Sequence, residues 1–297
     1  MMKNPKKAQK VKFAHRASRR GRSGEERRRS GGSRMAAKVS AEVAACIAAF
    51  KAGQPVMVFD SAFREGETDL LWAASSATPA VMRQLRKDCG GLLFLAVGDD
   101  VGERFGLPYL QDMNADAGLQ KKYPVLQALE TSDLQYDTRS AFTLSMNHRE
   151  TFTGITDRDR ALTTRRFAEL FAELEAGKAS PEASRKALGA EFRTPGHIPL
   201  CREAPGGLKK RRGHTELSVS IARLAGVSPV VIGAEMLQPD GDAALSVEDA
   251  RKYAKLHGIP MVTGADLVEA HGMPRPNEEE EAKKKAAKRQ RTDSGAK

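Results

Sequence analysis

The sequence predicts an α/β protein in which helices flank a mixed β-sheet. Short apolar runs of strand-forming residues recur along the chain, and segments with apolar residues at helical spacing separate them. The chain is also large enough to bury a sizeable core, since it has 297 residues, 40% of them hydrophobic. We therefore expect one folded domain over residues 39–274.

The positive charge of the chain belongs to its two ends. Residues 1–38 hold 14 Lys/Arg and two acids, and residues 275–297 hold eight and five. The other 27 basic and 31 acidic residues give residues 39–274 a net charge of −4. Basic tails of this kind cannot bury enough apolar surface to offset the entropy of ordering, so we expect them to be disordered. Nucleic acid would be bound only through these tails, which also leave organelle or nuclear targeting open.

Cysteine usage and hydropathy bear on the compartment. Cys46, Cys89 and Cys201 show no paired or metal-ligand spacing, which fits a reducing compartment. No apolar run reaches the ~18 residues needed to span a bilayer, and the N-terminus lacks the apolar core of a secretory signal. We expect an intracellular, cytoplasmic protein without a membrane segment.

The first elements follow the N-terminal tail. Ser40 is a favoured N-cap, and apolar residues at helical spacing continue to Gly53, a helix-ending residue. The apolar run at 56–59 predicts a buried strand. Thr78-Pro79 places an N-cap before a proline, and so predicts a second helix, which stops at Gly90.

Two predicted strands border a long segment with little pattern. Residues 92–97 and 141–146 are apolar runs typical of strands. Between them, residues 98–140 are rich in Gly, Pro, Asp and Asn, with one amphipathic piece at 123–129. A segment of this length without a strong pattern is usually functional or mobile.

Helices and strands alternate in the second half of the domain. A helix is predicted over 157–170, a polar helix or loop over 176–190, and a helix over 215–224 that ends at Gly226. The remaining predicted elements are a strand at 230–236, a helix at 247–257, a strand at 260–263 and a helix at 265–270.

Four carboxylates follow the first strand: Asp60, Glu65, Glu67 and Asp69. If residues 64–69 are extended, the last three project to one side, because strand side chains alternate. Like charges on one face raise each other's pKa unless a cation neutralises them. The cluster therefore indicates a divalent metal or a substrate that needs several proton transfers, with a solvated acidic loop as the alternative.

A basic, glycine-rich stretch carries two histidines, His197 and His214, in Gly-flanked turns. Four cations at 209–212 lead directly into a predicted helix N-terminus, an arrangement that favours a phosphate group, with a basic surface loop as the alternative. Glu235 ends an otherwise apolar strand, where a carboxylate is costly unless it is paired or used.

Six blocks in this order resemble the 3,4-dihydroxy-2-butanone 4-phosphate synthase family, in its archaeal form, from about Val43 to Ala270. The blocks are REGETD at 64–69, KDCGGL at 87–92, NHRETFTGITDRDR at 147–160, RTPGH at 193–197, GGLKKRRGHTE at 206–216 and AEMLQPDG at 234–241. The resemblance implies a homodimeric lyase of riboflavin biosynthesis that converts D-ribulose 5-phosphate to L-3,4-dihydroxy-2-butanone 4-phosphate and formate. It also implies dependence on Mg²⁺ or Mn²⁺, with two ions per active site.

The resemblance also assigns roles to residues. The metal ligands fall on Glu65 and His214, and the catalytic groups on His197 and Glu235, with Glu67 and Asp60. The initial base is left open among Asp60, Glu67 and Asp69. The substrate contacts fall on Arg64, Glu65, Asp69, Thr143, Ser145, Arg211, Arg212, Gly213, His214, Thr215 and Glu235.

The chain departs from the family pattern at three places. Phe94 and Ala234 stand where the family usually has cysteines, and residues 61–63 are less acidic than is usual, with Phe63 beside the expected metal site. These departures leave an alternative function, a catalytically weak homologue that binds nucleic acid through its basic tails. The retained acids and histidines favour the lyase.

Overall fold

A computed structural model describes residues 39–131, 133–134 and 136–277. Its strands are β1 (Val56–Phe59), β2 (Thr68–Ala73), β3 (Phe94–Val97), β4 (Phe142–His148), β5 (Phe192–Arg202), β6 (Val230–Glu235) and β7 (Met261–Thr263). They form a single seven-stranded sheet in the order β4-β5-β3-β6-β2-β1-β7. The pairs β1–β7 and β3–β5 are parallel and the other neighbours are antiparallel, so the sheet is mixed, as predicted.

Helices cover both faces of this sheet. They are α1 (Ala41–Lys51), α2 (Pro79–Gln84), α3 (Asp99–Phe105), α4 (Leu110–Asn114), α5 (Ala117–Lys122), α6 (Val125–Ala128), α7 (Asp157–Ala176), α8 (Pro181–Glu191), α9 (His214–Ala225), α10 (Val247–His257) and α11 (Gly264–Ala270). Apolar residues of α2, α7 and α10 form the core on one face, and those of α1, α9 and α11 form the core on the other. The predicted α/β class is confirmed.

Local sequence signals locate most of these elements correctly. The Ser40 side chain accepts a hydrogen bond from the backbone of Val43 and begins α1, and the Thr78 side chain caps α2 in the same way. The bounds of α10 coincide with the prediction. Within the weakly patterned segment 98–140, the chain forms the four short helices α3 to α6, of which α6 falls inside the predicted amphipathic piece.

The sequence prediction missed two strands, β2 and β5. Strand β2 is buried at every position between β1 and β6, so its sequence TDLLWA lacks the alternation of a half-exposed strand. Strand β5 contains Pro195 and Pro199, which normally argue against a strand. His197 was predicted to lie in a turn. It lies instead on β5, in a stretch where the register with β4 shifts.

The tails belong largely to the part of the chain that is not described. The predicted disorder of residues 1–38 and of the C-terminal tail from residue 278 therefore lies outside the described residues. Within the described ranges, none of the helices combines the length and the apolar character needed to cross a membrane.

Close approach of β4 and β5 requires a glycine at position 196. A Cβ atom there would lie 2.0 Å from the carbonyl carbon of Met146 and 2.3 Å from the backbone nitrogen of Asn147. Both are backbone atoms, which cannot move without disturbing the strand pairing. We expect Gly196→Ala to lower the free energy of unfolding by about 2 kcal/mol, as overpacking typically does. Urea denaturation measures this change.

Gly189→Ala is the matched control. Gly189 lies in α8, and a Cβ atom there would meet no heavy atom within 4 Å. Because alanine is the better helix former, this variant should gain about 0.5–1 kcal/mol. Equal effects of the two substitutions would contradict the packing argument.

Candidate active site

The acidic segment after β1 is a loop wrapped around one buried carboxylate. Asp60 is 4% exposed, and its oxygens accept hydrogen bonds from the backbone N–H groups of Glu65, Gly66 and Glu67 at 3.0, 3.0 and 3.1 Å. The loop turns at Gly66, which has φ of +74°. The expectation that residues 64–69 are extended is therefore wrong: three N–H groups point at Asp60, and the strand begins only at Thr68.

Glu65 reaches from this loop to the first residue of α9. Its Oε2 lies 3.0 Å from Nδ1 of His214 and 2.6 Å from Nη1 of Arg64. Burial opposes ionisation of Glu65, but the hydrogen bond with His214 and the charge of Arg64 outweigh it and lower the pKa of Glu65 to about 2. Glu65 is therefore a carboxylate at neutral pH.

The other side of His214 faces Asp69 on β2. Burial alone would lower the pKa of His214, but the charge of Asp69 and the hydrogen bond with Glu65 raise it to about 9. Asp69 Oδ1 lies 3.4 Å from His214 Nε2. Both Asp69 oxygens and this nitrogen are buried and have no hydrogen-bond partner among the described residues. Buried polar atoms are rarely left without a hydrogen-bond partner, so these three atoms are candidates for contact with a bound ligand.

Strand pairing adds a second carboxyl beside Asp69. Asp69 on β2 lies directly opposite Glu235, the last residue of β6, so both side chains project from the same face of the sheet. Burial and the neighbouring charges of Glu235 and Glu65 raise the pKa of Asp69 well above its usual range. Burial, with a contribution from Glu65, also raises the pKa of Glu235. Glu67 is half-buried, and burial followed by Glu65 and Glu235 raises its pKa as well.

A divalent cation fits this donor set. Asp60, Glu65 and His214 each offer a ligand atom, and the three atoms lie within 4.8 Å of one another. Carboxylate oxygens supplemented by water are what hard divalent cations prefer, and the orphaned oxygens of Asp69 lie beside the same histidine.

Two arginines border the acids. Arg64 lies in the loop itself, just before Glu65, and Arg211 precedes α9. Asp137 bridges their guanidinium groups, at 2.6 Å from Arg64 Nη2 and 2.7 Å from Arg211 Nη2. Arg211 also binds Glu216 of α9 at 2.7 Å. The same glutamate accepts a hydrogen bond from the backbone N–H of Gly213, so that N–H is already engaged.

Some of these groups line a cavity of about 240 Å³. Among the predicted site residues, the cavity is lined by Glu65, Arg211, His214, Thr215 and Glu235. Its wall also contains Leu92, Phe94, Leu134, Tyr136, Asp137, Arg139, Ser140, Ala141, Phe142 and Cys201. We call this space the catalytic cavity.

The sequence prediction missed several of these wall residues. Tyr136 and Asp137 belong to the segment that has no strong pattern, and no motif distinguishes them. Cys201 was noted only for its spacing. Burial raises the pKa of the Cys201 thiol to about 12, which keeps it neutral. Of the two positions where the family has cysteines, Phe94 lines the cavity, whereas Ala234 packs in the core on the opposite face of the sheet.

Nine predicted site residues are not among those that line this cavity: Asp60, Arg64, Glu67, Asp69, Thr143, Ser145, His197, Arg212 and Gly213. Arg212 is exposed and lines a neighbouring cavity of about 700 Å³, which also contains Phe63. His197 is exposed, with Asn147 accepting its backbone N–H at 2.8 Å and contacting its Nδ1 at 3.1 Å. Thr143 and Ser145 lie on β4 next to β5. The Ser145 hydroxyl accepts the N–H of Gly196, and the buried Thr143 hydroxyl has no partner among the described residues.

The fold and the site define the class of this protein. A mixed α/β sheet that brings a carboxyl group with a raised pKa, a histidine and arginines to one cavity is typical of an enzyme. A match to the 3,4-dihydroxy-2-butanone 4-phosphate synthase family covers residues 44–270. The chain belongs to this family.

Relatives support the assignment, including archaeal ones. The chain is 40% identical over 223 residues to 3,4-dihydroxy-2-butanone 4-phosphate synthase of Methanothermobacter thermautotrophicus. The aligned region covers 75% of this chain and 93% of the relative. A structure of such a synthase in complex with two magnesium ions shares 28% identity and a TM-score of 0.57, covering 75% of this chain and 93% of its own.

A two-domain synthase from A. baumannii is also similar. It shares 26% identity and a TM-score of 0.58, and the match covers 76% of this chain but 56% of the two-domain chain. The family match stops short of both basic tails, so it gives no support to the alternative of a nucleic-acid-binding relic.

The charge on His214 makes the stability of the metal-free protein depend on pH. The folded pKa of about 9 lies above the ordinary 6.5, so the stabilisation is complete below about 6.5 and is lost as the pH rises through 9. The raised pKa of Asp69 acts in the same direction. We expect the unfolding free energy in EDTA to fall between pH 6.5 and 9, and to fall less in His214→Gln. If the unfolding free energy of the two proteins changed with pH to the same extent, His214 would not be the source of the pH dependence.

Proposed function

We propose that the protein converts D-ribulose 5-phosphate to L-3,4-dihydroxy-2-butanone 4-phosphate and formate, with Mg²⁺ or Mn²⁺ as the metal and two ions per site. The observation that carries the proposal is the convergence of Glu65, His214, Asp69 and Glu235 beside an arginine wall. The family match supports the substrate, and the magnesium-bound relative supports the metal.

The reaction requires several proton transfers on one polyol. A proton leaves C3 to give an enediol, water leaves at C1, the carbon skeleton rearranges, and C4 departs as formate. The water lost in the dehydration is taken up again when formate forms, so the five-carbon substrate yields the four-carbon product and formate with no net water. Groups that exchange protons near neutral pH must therefore surround the substrate.

We assign the metal to Glu65 and His214, with Asp60 and Asp69 close by. When bound, the ion would supply positive charge to the substrate's carbonyl and hydroxyl oxygens and stabilise negative charge there. Glu65 is ionised in the metal-free protein, which suits a ligand. His214 must release its proton before it can bind a metal.

We assign proton transfer to the carboxyls whose pKa is raised. Glu235 lines the catalytic cavity, and burial raises its pKa, which favours its holding a proton. Burial raises the pKa of Glu67 and of Asp69 as well. Asp60 is the weakest candidate for the initial base, because both of its oxygens already accept backbone N–H groups and hold the loop.

We assign the phosphate group to Arg64 and Arg211. A planar guanidinium binds phosphate through paired hydrogen bonds. Arg211 lines the catalytic cavity, and Asp137 links it to Arg64, which lines the neighbouring cavity. Arg212 points into the neighbouring cavity, which supports a lesser role for it. Thr215 lines the same wall as Arg211.

A formate assay tests the proposal. Incubation of the full chain with ribulose 5-phosphate and Mg²⁺ should release one formate per substrate consumed, and EDTA should abolish the release. We expect Glu65→Gln and His214→Ala to weaken Mg²⁺ binding by at least about tenfold, since each removes a ligand. Calorimetric titration with Mg²⁺ measures this loss.

Glu248→Gln is the control for these variants. Glu248 is a surface residue of α10 that pairs with Lys252, so the substitution makes the same chemical change away from the site. Its formate yield and Mg²⁺ affinity should match those of the unchanged chain. If the unchanged chain makes no formate with Mg²⁺ present, the lyase assignment fails.

We further propose a homodimer in which each catalytic cavity receives His197 from the second copy. His197 is exposed, and among the described residues of its own chain it is not part of the cavity wall. Apolar side chains are exposed nearby on the loop after β4: Phe152 is 96% exposed and Ile155 is 52% exposed. Large exposed apolar residues are typical of surfaces that bind a partner.

Mixing two inactive variants tests this arrangement. His197→Ala and His214→Ala should each be inactive alone. In a heterodimer one site would combine both intact histidines, so co-expression should restore about a quarter of the activity of the unchanged protein, for random pairing of symmetric subunits. No recovery from a mixture of demonstrated heterodimers would place both histidines in one chain.

A further inference from the structure

A single carboxylate contacts both arginines that we assign to the phosphate group: Arg211 lines both cavities, and Arg64 lines the neighbouring one. Asp137 Oδ2 lies 2.6 Å from Arg64 Nη2, and 2.9 and 2.7 Å from Nε and Nη2 of Arg211. The Asp137 side chain is 11% exposed, so water screens these contacts weakly. Asp137 lies on the connection between α6 and β4, far in sequence from either arginine.

The neighbouring tyrosine strengthens this contact. The ring centre of Tyr136 lies 4.7 Å from the guanidinium carbon of Arg64, within the range of a cation–π interaction. Tyr136 and Asp137 line both the catalytic cavity and the neighbouring cavity of about 700 Å³. They therefore form a partition between the two spaces, which we call the Tyr136–Asp137 arm.

The remaining terminal nitrogens of the arginines are also engaged. Arg64 Nη1 binds Glu65 at 2.6 Å, and Arg211 Nη1 binds Glu216 at 2.7 Å. The side of each guanidinium that faces its partner arginine is occupied by Asp137. A phosphate group that needs paired donors from both arginines would have to bind at the position of this carboxylate.

We propose that Asp137 is an internal competitor of the substrate's phosphate group, and that phosphate binds only when the Tyr136–Asp137 arm leaves the two arginines. This inference rests on the proposed function for the identity of the phosphate-bearing ligand. While no substrate is bound, the Asp137 carboxylate offsets the repulsion between the guanidinium groups of Arg64 and Arg211. When substrate binds, its phosphate group, which carries more negative charge, takes the place of the carboxylate.

The proposal predicts that a substitution in the binding site increases the affinity for phosphate, where a loss of affinity is usual. The apparent affinity of a ligand is reduced by the fraction of protein that is in the competent state. Removing the competing carboxylate should increase that fraction. A residue that merely positioned the arginines for phosphate would have the opposite effect, because its loss would weaken binding.

Inorganic phosphate is the probe, and calorimetric titration of the full chain measures its affinity. We expect Asp137→Asn to bind phosphate about fivefold or more tightly than the unchanged protein, by relief of the competition. Asp137→Ala, measured in parallel, should change the affinity in the same direction. Unchanged or weaker binding in both variants would overturn the proposal.

Asp100→Asn is the matched control. Asp100 pairs with Arg223 at 2.9 Å and lines a different cavity, so this variant makes the same charge change away from the arm. Its phosphate affinity should equal that of the unchanged protein. If it rises as much as in Asp137→Asn, the effect comes from net charge and the competition is refuted.

Hydrogen exchange distinguishes two explanations of tighter binding. Either phosphate displaces the arm, or the negative charge of Asp137 repels phosphate while the arm stays in place. Saturating phosphate should speed amide exchange at Tyr136 and Asp137 in the unchanged protein, because the arm loses its contacts with both arginines. Slower or unchanged exchange would show that phosphate binds with the arm in place. Neither measurement needs turnover, whereas the formate assay alone tests the lyase, so the two proposals can fail separately.

Discussion

The site depends on one interaction, the contact of His214 with the carboxyls of Glu65 and Asp69. Asp69 is completely buried, and an isolated ion there would cost several kcal/mol of desolvation. The pKa values of both His214 and Asp69 are raised. His214 keeps its proton because of the nearby acids, and burial makes Asp69 resist losing its own. Because α9 begins at His214, the helix that packs against the sheet also carries the charge that the acids require.

The carboxyls differ in what their oxygens contact, and this divides their work. Asp60 accepts three backbone N–H groups and so fixes the conformation of the loop. Glu65 is held ionised by His214 and Arg64, as a metal ligand should be. Asp69 keeps two oxygens without hydrogen bonds among the described residues, and Glu235 faces it across β2 and β6. Proximity in sequence suggested one acidic surface, whereas hydrogen bonding separates Asp60, which holds the loop, from the other three acids.

Local signals predicted the class of fold because most strands are short apolar runs and most helices carry caps. They failed at β2, which is buried on both faces, and at β5, whose prolines are tolerated because the register with β4 is irregular there. Glu65 and His214, the pair proposed as metal ligands, are separated by 149 residues, so only resemblance to a family could join them. No sequence pattern indicated that Asp137 belongs to the site, because its position depends on a tertiary contact with two arginines.

The departure at Phe63 is explained by the partition between the two cavities. Phe63 was an unexpected neighbour for a metal site, but it lines the larger cavity, on the far side of the Tyr136–Asp137 arm from His214. Phe63 therefore shares a cavity with Asp60, the acid that holds the loop, and not with Glu65, His214 or Glu235. Phe94 is different, because it lines the catalytic cavity itself beside Glu235. An aromatic ring there lowers the local polarity, which favours the neutral form of a buried carboxyl. Of the departures from the family pattern, Phe94 is thus the one placed to alter the chemistry.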